Sequence, residues 1–274
     1  MIKLLITGGN GNIASIIKNG LKDFYDITAP SRQELDVLDL NNLNDYLLKN
    51  NFDVLIHTAI KGGRRTKDET ADVVYINLLM FENIIKFAKR FKMIINLDSG
   101  AIYDRNTDIN NRKENELLTI PNDYYGFSKY NIYQRSLHYN NIYNFRIFNI
   151  FHPNEEPDRF IKACFNAKYN NTDFIIHDDK YFDFVYYKDF IKIVKYYIDN
   201  MNCELYKTIN ISYNKKYKLS EIAKIIEKTG EYKQINIKIL NNNNMNYCGD
   251  STLLNSIINL NEIEISLKDF YNNI

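Results

Sequence analysis

The sequence predicts an α/β fold: a doubly wound parallel sheet followed by a smaller mixed α/β lobe. Three observations carry this. Over residues 1–150, short apolar runs alternate with longer segments whose apolar residues recur at helical spacing, the pattern of strands joined by crossover helices. The first run closes on Gly8-Gly9-Asn10-Gly11, a strand-to-helix turn. After residue 150 the alternation gives way to two prolines, short strands and helices, with no repeat at a fixed period.

Each element has its own signal. Residues 2–7 are mostly apolar and run into Gly8-Gly9, as in a buried parallel strand, and 12–21 follow as a helix. Residues 26–29 make a second strand. Leu43, Tyr46 and Leu47 form a helical stripe before the third strand, 54–57. A long helix is expected over 72–90, with Val73, Ile76, Met80, Ile84 and Phe87 on one face. The fourth strand is 93–97, the next helix 125–138 and the fifth strand 144–150. Pro153 and Pro157 then mark a loop. A helix at 158–168, strands near 173–177 and 181–187, a helix at 188–200 and a strand at 205–212 come next. Ser220 is a candidate N-cap for a helix to residue 228, stopped by Gly230. Residues 241–244 read as a polar loop. Ser266, with Asp269 three residues on, resembles a capping pair for the last helix. The expected division is a first domain of 1–150, with 179–204 returning to it, and a smaller lobe of 151–178 and 205–274.

Composition narrows the function classes. Of 274 residues, 35 are Lys or Arg and 34 are Asp or Glu, a formal charge of +1. That balance lacks the basic excess of a nucleic-acid binder and leaves no polybasic anchor or acidic tail. A hydrophobic content of 45% supports a sizeable core. The 40 Asn, 22 Tyr and 16 Phe, with no Trp, read as a bias towards A- and T-rich codons, not as ligands or prion-like tracts. Cys164, Cys203 and Cys248 form no CxxC pair, and their odd number fits no closed disulfide framework, which favours a reducing compartment. The apolar run at the N-terminus is too short for a signal segment or a membrane span, so the expectation is a soluble, cytoplasmic protein. No HxH, HExxH or carboxylate-rich loop points to a metal.

Chemistry enters with the first turn. Gly8 permits the sharp change of direction. Gly11 lets the backbone approach a pyrophosphate at the helix N-terminus, where the N–H groups of Asn12 and Ile13 and the helix dipole favour anions. Ala14 stands where a third small residue packs helix on strand. This context, a strand before and a helix after, separates the motif from a plain Gly-rich turn and makes the first domain Rossmann-type. The second strand ends Thr28-Ala29-Pro30-Ser31-Arg32, with no acid until Glu34. A dinucleotide with a free 2′-hydroxyl usually meets an acid there, whereas Ser31 and the planar fork of Arg32 suit a 2′-phosphate. NADP(H) is therefore favoured, with NAD(H) the alternative and a solvated Arg the bland reading.

Tyr125 and Lys129 are four apart on an expected helix and share a face. A cation beside a phenol favours phenolate, which prepares Tyr125 to exchange a proton with a carbonyl or alcohol. Among 22 Tyr and 26 Lys one such pair means little by itself, and an ordinary amphipathic helix is the bland reading. Placement gives it weight. The pair opens the helix between the fourth and fifth strands, and Ser99 follows the fourth. Both fall at the carboxyl end of the sheet, where open α/β folds bind ligands.

Taken together, Gly8–Ala14, Asp36-Val-Leu-Asp39, Ile56-His-Thr-Ala59, Asn77, Ser99-Gly-Ala-Ile-Tyr103, Tyr125-Gly-Phe-Ser-Lys129, Arg146-Ile-Phe-Asn149 through Pro153, and Phe182-Asp183-Phe184-Val185 with Asp189 resemble the extended short-chain dehydrogenase/reductases, the NAD-dependent epimerase/dehydratase family that modifies nucleotide sugars. Within it, Ser31 to Asp39 followed by Ala59-Ile-Lys61-Gly-Gly63 is similar to the GDP-4-keto-6-deoxymannose epimerase/reductase (GDP-fucose synthase) type, which uses NADPH. The resemblance implies cofactor contacts at Asp39, Ala59, Lys61, Asn77, Tyr125 and Lys129. It implies substrate contacts at Ser99, Gly100, Asn149 and Asp183, and a homodimer through the 72–90 and Tyr125 helices. Ser99 would hold the substrate oxygen, Tyr125 act as general acid, and Lys129 contact the ribose and tune Tyr125.

The departures are informative. Relatives of that type carry an epimerisation Cys where this chain has Ala101, which cannot move a proton. Their partner His aligns with Arg159, a poor acid. His152 replaces a usual Gly and is a candidate acid or base near the substrate, and Phe182 replaces a usual Arg. Residues 61–65 are a basic patch, either a solvated loop or a contact for substrate phosphates. The leading expectation is an NADP(H)-dependent reductase of a nucleotide-linked 4-keto-6-deoxy sugar. The alternatives are an epimerase or epimerase/reductase, and a non-catalytic dinucleotide sensor, which would not need Ser99, Tyr125 and Lys129.

Overall fold

The computed structural model describes residues 1–63, 68–241 and 245–274. Arg64 and Arg65 of the basic patch, and residues 242–244 of the polar loop, lie outside them. The chain divides into two compact units, one of Met1–Arg105, Leu117–Arg146 and Ile191–Ile209, the other of Asn106–Glu116, Ile147–Phe190 and Asn210–Ile274.

In chain order, β1 (Lys3–Thr7), α1 (Asn12–Leu21), β2 (Asp26–Thr28), α2 (Leu40–Lys49), β3 (Val54–His57), α3 (Asp72–Ile85) and β4 (Met93–Ser99) alternate as expected. Next come β5 (Ile109–Arg112), α4 (Tyr124–Ser136), β6 (Ile142–Ile147), β7 (Ile150–Phe151), α5 (Phe160–Asn170), β8 (Phe174–Asp178), β9 (Val185–Tyr186) and α6 (Tyr187–Asp199). The chain continues with β10 (Thr208–Ile211), α7 (Leu219–Lys228), β11 (Ile237–Asn241), β12 (Tyr247–Gly249), α8 (Thr252–Ile257) and α9 (Ile263–Tyr271).

Six parallel strands in the order β2-β1-β3-β4-β6-β10 form the sheet of the first unit, the Rossmann-type arrangement. The chain runs outward from β1 to β2, then returns past β1 to build β3, β4, β6 and β10 on the other side. That reversal puts the topological switch point between β1 and β3. Leu4, Leu5 and Ile6 of β1 and Val54, Leu55 and Ile56 of β3 are fully buried, which explains their continuous apolar runs. Each such side chain contributes about 1.5–3 kcal/mol of transfer free energy. Leu43 and Leu47 of α2 and Met80 and Ile84 of α3 complete one face of the core with Leu5 and Leu55. The same core explains the periodicity of the 72–90 segment. The α-helix stops at Ile85, however, and a 3₁₀ turn covers Ala88–Arg90, because Phe87 and Arg90 donate to carbonyls three residues back.

The second unit corrects several local expectations. The single strand expected over 144–150 is two: β6 ends at Ile147, and β7 pairs with β9. In the expected strand 181–187, Tyr181 and Phe182 make only isolated bridges, to Lys218 and Tyr247. Strands β5, β11 and β12 had no clear sequence signal, for they are short and pair in twos, β12 with β5 and β11 with β8. Ser220 is not the cap of α7. Lys218 is, its N–H held by the Glu221 carboxylate, while Ser220 turns its hydroxyl and N–H to Asp179. Ser266 likewise lies inside α9, whose cap is Glu262; it is buried and donates to Asp189. Both serines were spent on partners distant in sequence, which local spacing does not reveal. Among the described residues no helix is long and apolar enough to cross a membrane.

Candidate active site

The turn after β1 is built for a close ligand. Gly8 has φ +69°, and a Cβ on it would lie 3.0 Å from the Ala59 backbone, so the turns after β1 and β3 touch. Thr58 secures them by donating its hydroxyl to the Thr7 carbonyl (2.6 Å). A Cβ on Gly9 would strike the Ala29 carbonyl at 2.2 Å, whereas one on Gly11 would meet only the Gly8 carbonyl oxygen, at 3.1 Å. The approach to Gly11 is otherwise open. Gly11 is the N-cap of α1, and no side chain caps that helix. The first-turn N–H groups, including those of Asn12 and Ile13, are left to a ligand or water. Ala14 is fully buried, as close packing of α1 requires.

At the end of β2, the Ser31 N–H is held by Glu34 (2.7 Å), which draws the Glu34 carboxyl below its ordinary range. Glu34 is thus occupied in closing the turn. Arg32 is 74% exposed at its side chain and pairs with Asp36 at 3.2 Å. An exposed pair of this kind contributes only about 0–1 kcal/mol, so the guanidinium can exchange partners. Asp39 caps α2, accepting from the N–H groups of Asn41 and Asn42. Asn77 is buried and clamps the turn after β3: its amide accepts from the Lys61 N–H (2.8 Å), donates to the Lys61 carbonyl (2.9 Å) and reaches Ser128 (3.1 Å). The Lys61 ammonium pairs with Asp72. His57 is buried against Thr7 (2.9 Å), and burial holds its imidazole neutral, down to about 3. It is a packing residue.

Ser99 ends β4, nearly buried, and its hydroxyl accepts from the Ala101 N–H (3.2 Å) as it caps the 3₁₀ turn Gly100–Tyr103. Helix α4 packs on that turn so tightly that a Cβ on Gly126 would come within 2.7 Å of the Ala101 carbonyl. Gly126 therefore sets how closely Tyr125 approaches the Ser99 turn, a role sequence reading missed although the Tyr-Gly pair was in view. Lys129 is buried, its ammonium 5.8 Å from the Tyr125 ring centre and 2.5 Å from the Leu97 carbonyl. Burial brings its pKa down to about 8, against the opposing pull of Asp98. Ser99, Tyr125, Lys129 and the open α1 turn all lie at the carboxyl edge of one sheet.

The remaining candidates belong to the second unit. Arg159 donates to Asn149 Oδ1 (2.8 Å) and lies 3.9 Å from the Glu155 carboxylate. His152 is buried, and burial, then Lys162 and Arg159, hold it below its ordinary range. Asp183 is closed in by Lys216 (2.9 Å) and the Gly249 N–H (2.8 Å), an internal anchor whose carboxyl burial pushes up. Glu155, which no motif marked, is buried and pushed up to about 7, with Arg159 and Lys162 acting against the burial. A carboxyl raised in the fold favours the protonated form. Its stabilisation is complete below the unfolded value of 4.5 and lost as pH rises through about 7. Glu155→Gln is therefore expected to match wild type near pH 4 and to exceed it at pH 8 by roughly 1–3 kcal/mol in urea melts.

The fold and this edge define the class: a Rossmann-type α/β protein with a glycine turn after β1 and a Tyr–Lys pair on α4 at the same edge of the sheet. A family model described as the NAD dependent epimerase/dehydratase family matches residues 4–212, and the chain belongs to that family. Two curated relatives match part of it. GDP-L-fucose synthase of Sinorhizobium fredii is 29% identical over 136 residues, 46% of this chain and 43% of its own. GDP-L-colitose synthase of Yersinia pseudotuberculosis is 28% identical over 112 residues, 39% of this chain and 36% of its own. The matched stretches thus span less than half of either relative. Among solved structures, dTDP-4-dehydrorhamnose reductase of Bacillus anthracis, in complex with NADP, superposes with TM-score 0.85 at 17% identity, covering 100% of this chain and 99% of its own.

Proposed function

We propose that this protein is an NADP(H)-dependent reductase of a nucleotide-linked 4-keto-6-deoxy sugar. The observation that carries the reading is the Tyr125–Lys129 pair on the first turns of α4, packed on the Ser99 turn at the same sheet edge as the uncapped α1. The cofactor fits the residues present. Gly8, Gly11, Asn12 and Ile13 suit its pyrophosphate, Ser31 and Arg32 its 2′-phosphate, and Ala59, Asn77 and Lys129 line the turns beside it. When bound, NADP(H) supplies the hydride for C4. Ser99 holds the substrate oxygen, Tyr125 gives its phenolic proton to that oxygen as the alkoxide forms, and Lys129 keeps a positive charge beside the phenol. The curated relatives named for GDP-L-colitose and GDP-L-fucose, and the reductase neighbour holding NADP, support the same reading. In this reading Asn149, His152 and Arg159 are candidate contacts for the nucleotide sugar.

The test is oxidation of NADPH by the purified protein on a panel of 4-keto sugar nucleotides; no turnover on any of them counts against the proposal. Arg32→Ala is expected to raise the KM for NADPH about 10- to 100-fold, the worth of a charge-assisted hydrogen bond, with the KM for NADH little changed. Steady-state kinetics with both cofactors checks this.

A second reading, epimerisation, is favoured by one observation. The buried carboxyl of Glu155, held near neutrality, adjoins His152, so the second unit has acid–base groups although position 101 is Ala. Solvent deuterium at C3 or C5 of the product marks epimerisation, and simple reduction leaves none there. Self-association through α3 and α4 belongs to the same proposal, since Tyr75, Tyr124 and Phe127 are apolar and exposed on them; a monomeric mass in solution would refute it. The three cysteines are free thiols, in keeping with work in a reducing compartment such as the cytoplasm.

A further inference from the structure

Glu69 lies just before α3 in a segment without a motif, yet it joins two parts of the candidate site. Its Oε1 accepts the N–H of Gly63 (2.6 Å) and its Oε2 the N–H of Tyr125 (3.2 Å). One carboxylate thus ties the turn after β3 to the first turn of α4. The consequence falls on the phenol. Gly63 has φ +93°, and a Cβ there would sit 3.0 Å from Cε2 and Cζ of Tyr125 and 3.4 Å from its hydroxyl. The bare Cα of Gly63 is therefore a wall against the reacting end of the ring. Arg105 closes the arrangement. Its guanidinium stands 5.6 Å from the Tyr125 ring centre, 3.7 Å from Glu69 Oε2, and pairs with Asp123, the residue that caps α4 by accepting the Gly126 N–H. Arg105 is only 14% exposed at its side chain and Glu69 12%, so water screens this group of charges weakly.

We infer that Glu69 and Arg105 are positioning residues for Tyr125: Glu69 sets the Gly63 wall against the phenol, and Arg105 holds the cap of α4 while adding a second cation beside the ring. The inference rests on Tyr125 being the proton donor of the proposed reaction. The charged groups near Tyr125 include Lys129 from α4 and Arg105 from the segment after β4, both facing the ring, Glu69 from the segment before α3 at its N–H, and Asp123 at the α4 cap, paired with Arg105. A nearby anion disfavours phenolate and a nearby cation favours it. The two residues therefore act on the phenol with opposite sign, although both orient it. A purely structural role would not produce that opposition.

The test labels the full-length protein with [13Cζ]tyrosine, assigns the Tyr125 signal by its loss in Tyr125→Phe, and follows its titration by NMR. Glu69→Gln is expected to move the Tyr125 midpoint to lower pH, and Arg105→Met to move it to higher pH. Arg105→Lys should return it towards wild type, because the charge is restored without the planar fork. In turnover, both Glu69→Gln and Arg105→Met are expected to lower kcat about 10- to 100-fold, as displacement of a reacting group does, with the KM for NADPH unchanged. Midpoints equal to wild type, or shifted in the same direction in both variants, would overturn the inference. Should Glu69→Gln fail to fold, the Arg105→Met and Arg105→Lys pair decides: a rise in midpoint that Lys reverses supports it, and its absence sinks it. If wild type turns over none of the sugar nucleotides, the proposed reaction fails, while the titrations still decide whether Glu69 and Arg105 govern the phenol.

Discussion

Tyr125→Phe is expected to lower kcat by about 10²–10⁴-fold, the usual worth of a positioned general acid, with dinucleotide affinity and the urea midpoint near wild type. The substitution removes one oxygen and keeps the ring that packs on Gly63 and lies near Arg105 and Lys129. Loss of turnover can then be assigned to the missing proton. Single-turnover measurement of NADPH oxidation with saturating sugar nucleotide is the check. Unchanged turnover in this variant would falsify the assignment of Tyr125 as the proton donor. A pH dependence accompanies it. Burial favours the neutral amine of Lys129 and brings its pKa to about 8, with Asp98 acting in the other direction. The ammonium is present below that pH and lost above it, so kcat is expected to decline through about pH 8, earlier than an exposed Lys would allow.

Asp98→Asn is expected to destabilise the protein by about 3–5 kcal/mol, because it leaves a buried cation without its counter-charge. Arg146 and Asp98 are completely buried at their side chains and meet at 2.9 Å. Arg146 also donates to the Tyr103 hydroxyl at 2.6 Å and lies 4.7 and 4.9 Å from the ring centres of Tyr103 and Tyr133. Tyr103 and Asp98 hold the guanidinium charged in spite of its burial, and an Arg side chain stays protonated even without the carboxylate, so the variant cannot escape by losing a proton. Urea denaturation at pH 7 measures the loss. Replacing both partners, Asp98→Leu with Arg146→Met, should recover much of it, since apolar substitutes carry no desolvation penalty. The ion pair also bears on function. Asp98 precedes Ser99 and supports the charge of Lys129, so Asp98→Asn should move the decline in kcat to lower pH as well.

Much of the first unit was legible because its signals are local. The buried parallel strands wrote themselves as short apolar runs, and the turn Gly8–Gly11 required glycine at particular backbone positions. Tyr125 and Lys129 had to share a helix face. Other features had no local form. Glu69, Arg105 and Glu155 sit in no motif; Glu69 and Arg105 matter through Tyr125 and Asp123, far along the chain, and Glu155 through its burial in the packed fold. Ser220 and Ser266 looked like caps because capping patterns are short and common, yet each had a buried partner elsewhere. Strands β5, β11 and β12 are too brief, and too dependent on a single partner strand, for periodicity to show.

By itself, then, the sequence determined the alternation of strand and helix, the glycine turn after the first strand, the shared helix face of Tyr125 and Lys129, and the absence of a thiol at Ala101. These follow from backbone sterics and side-chain chemistry within a few residues. Only the tertiary structure decided that Asp183 is locked to Lys216, that Gly63 and Gly126 hold Tyr125 in place, and that Glu155 is a buried carboxyl poised near neutrality. Each of these depends on burial and on contacts between distant segments, which exist only once the chain has packed.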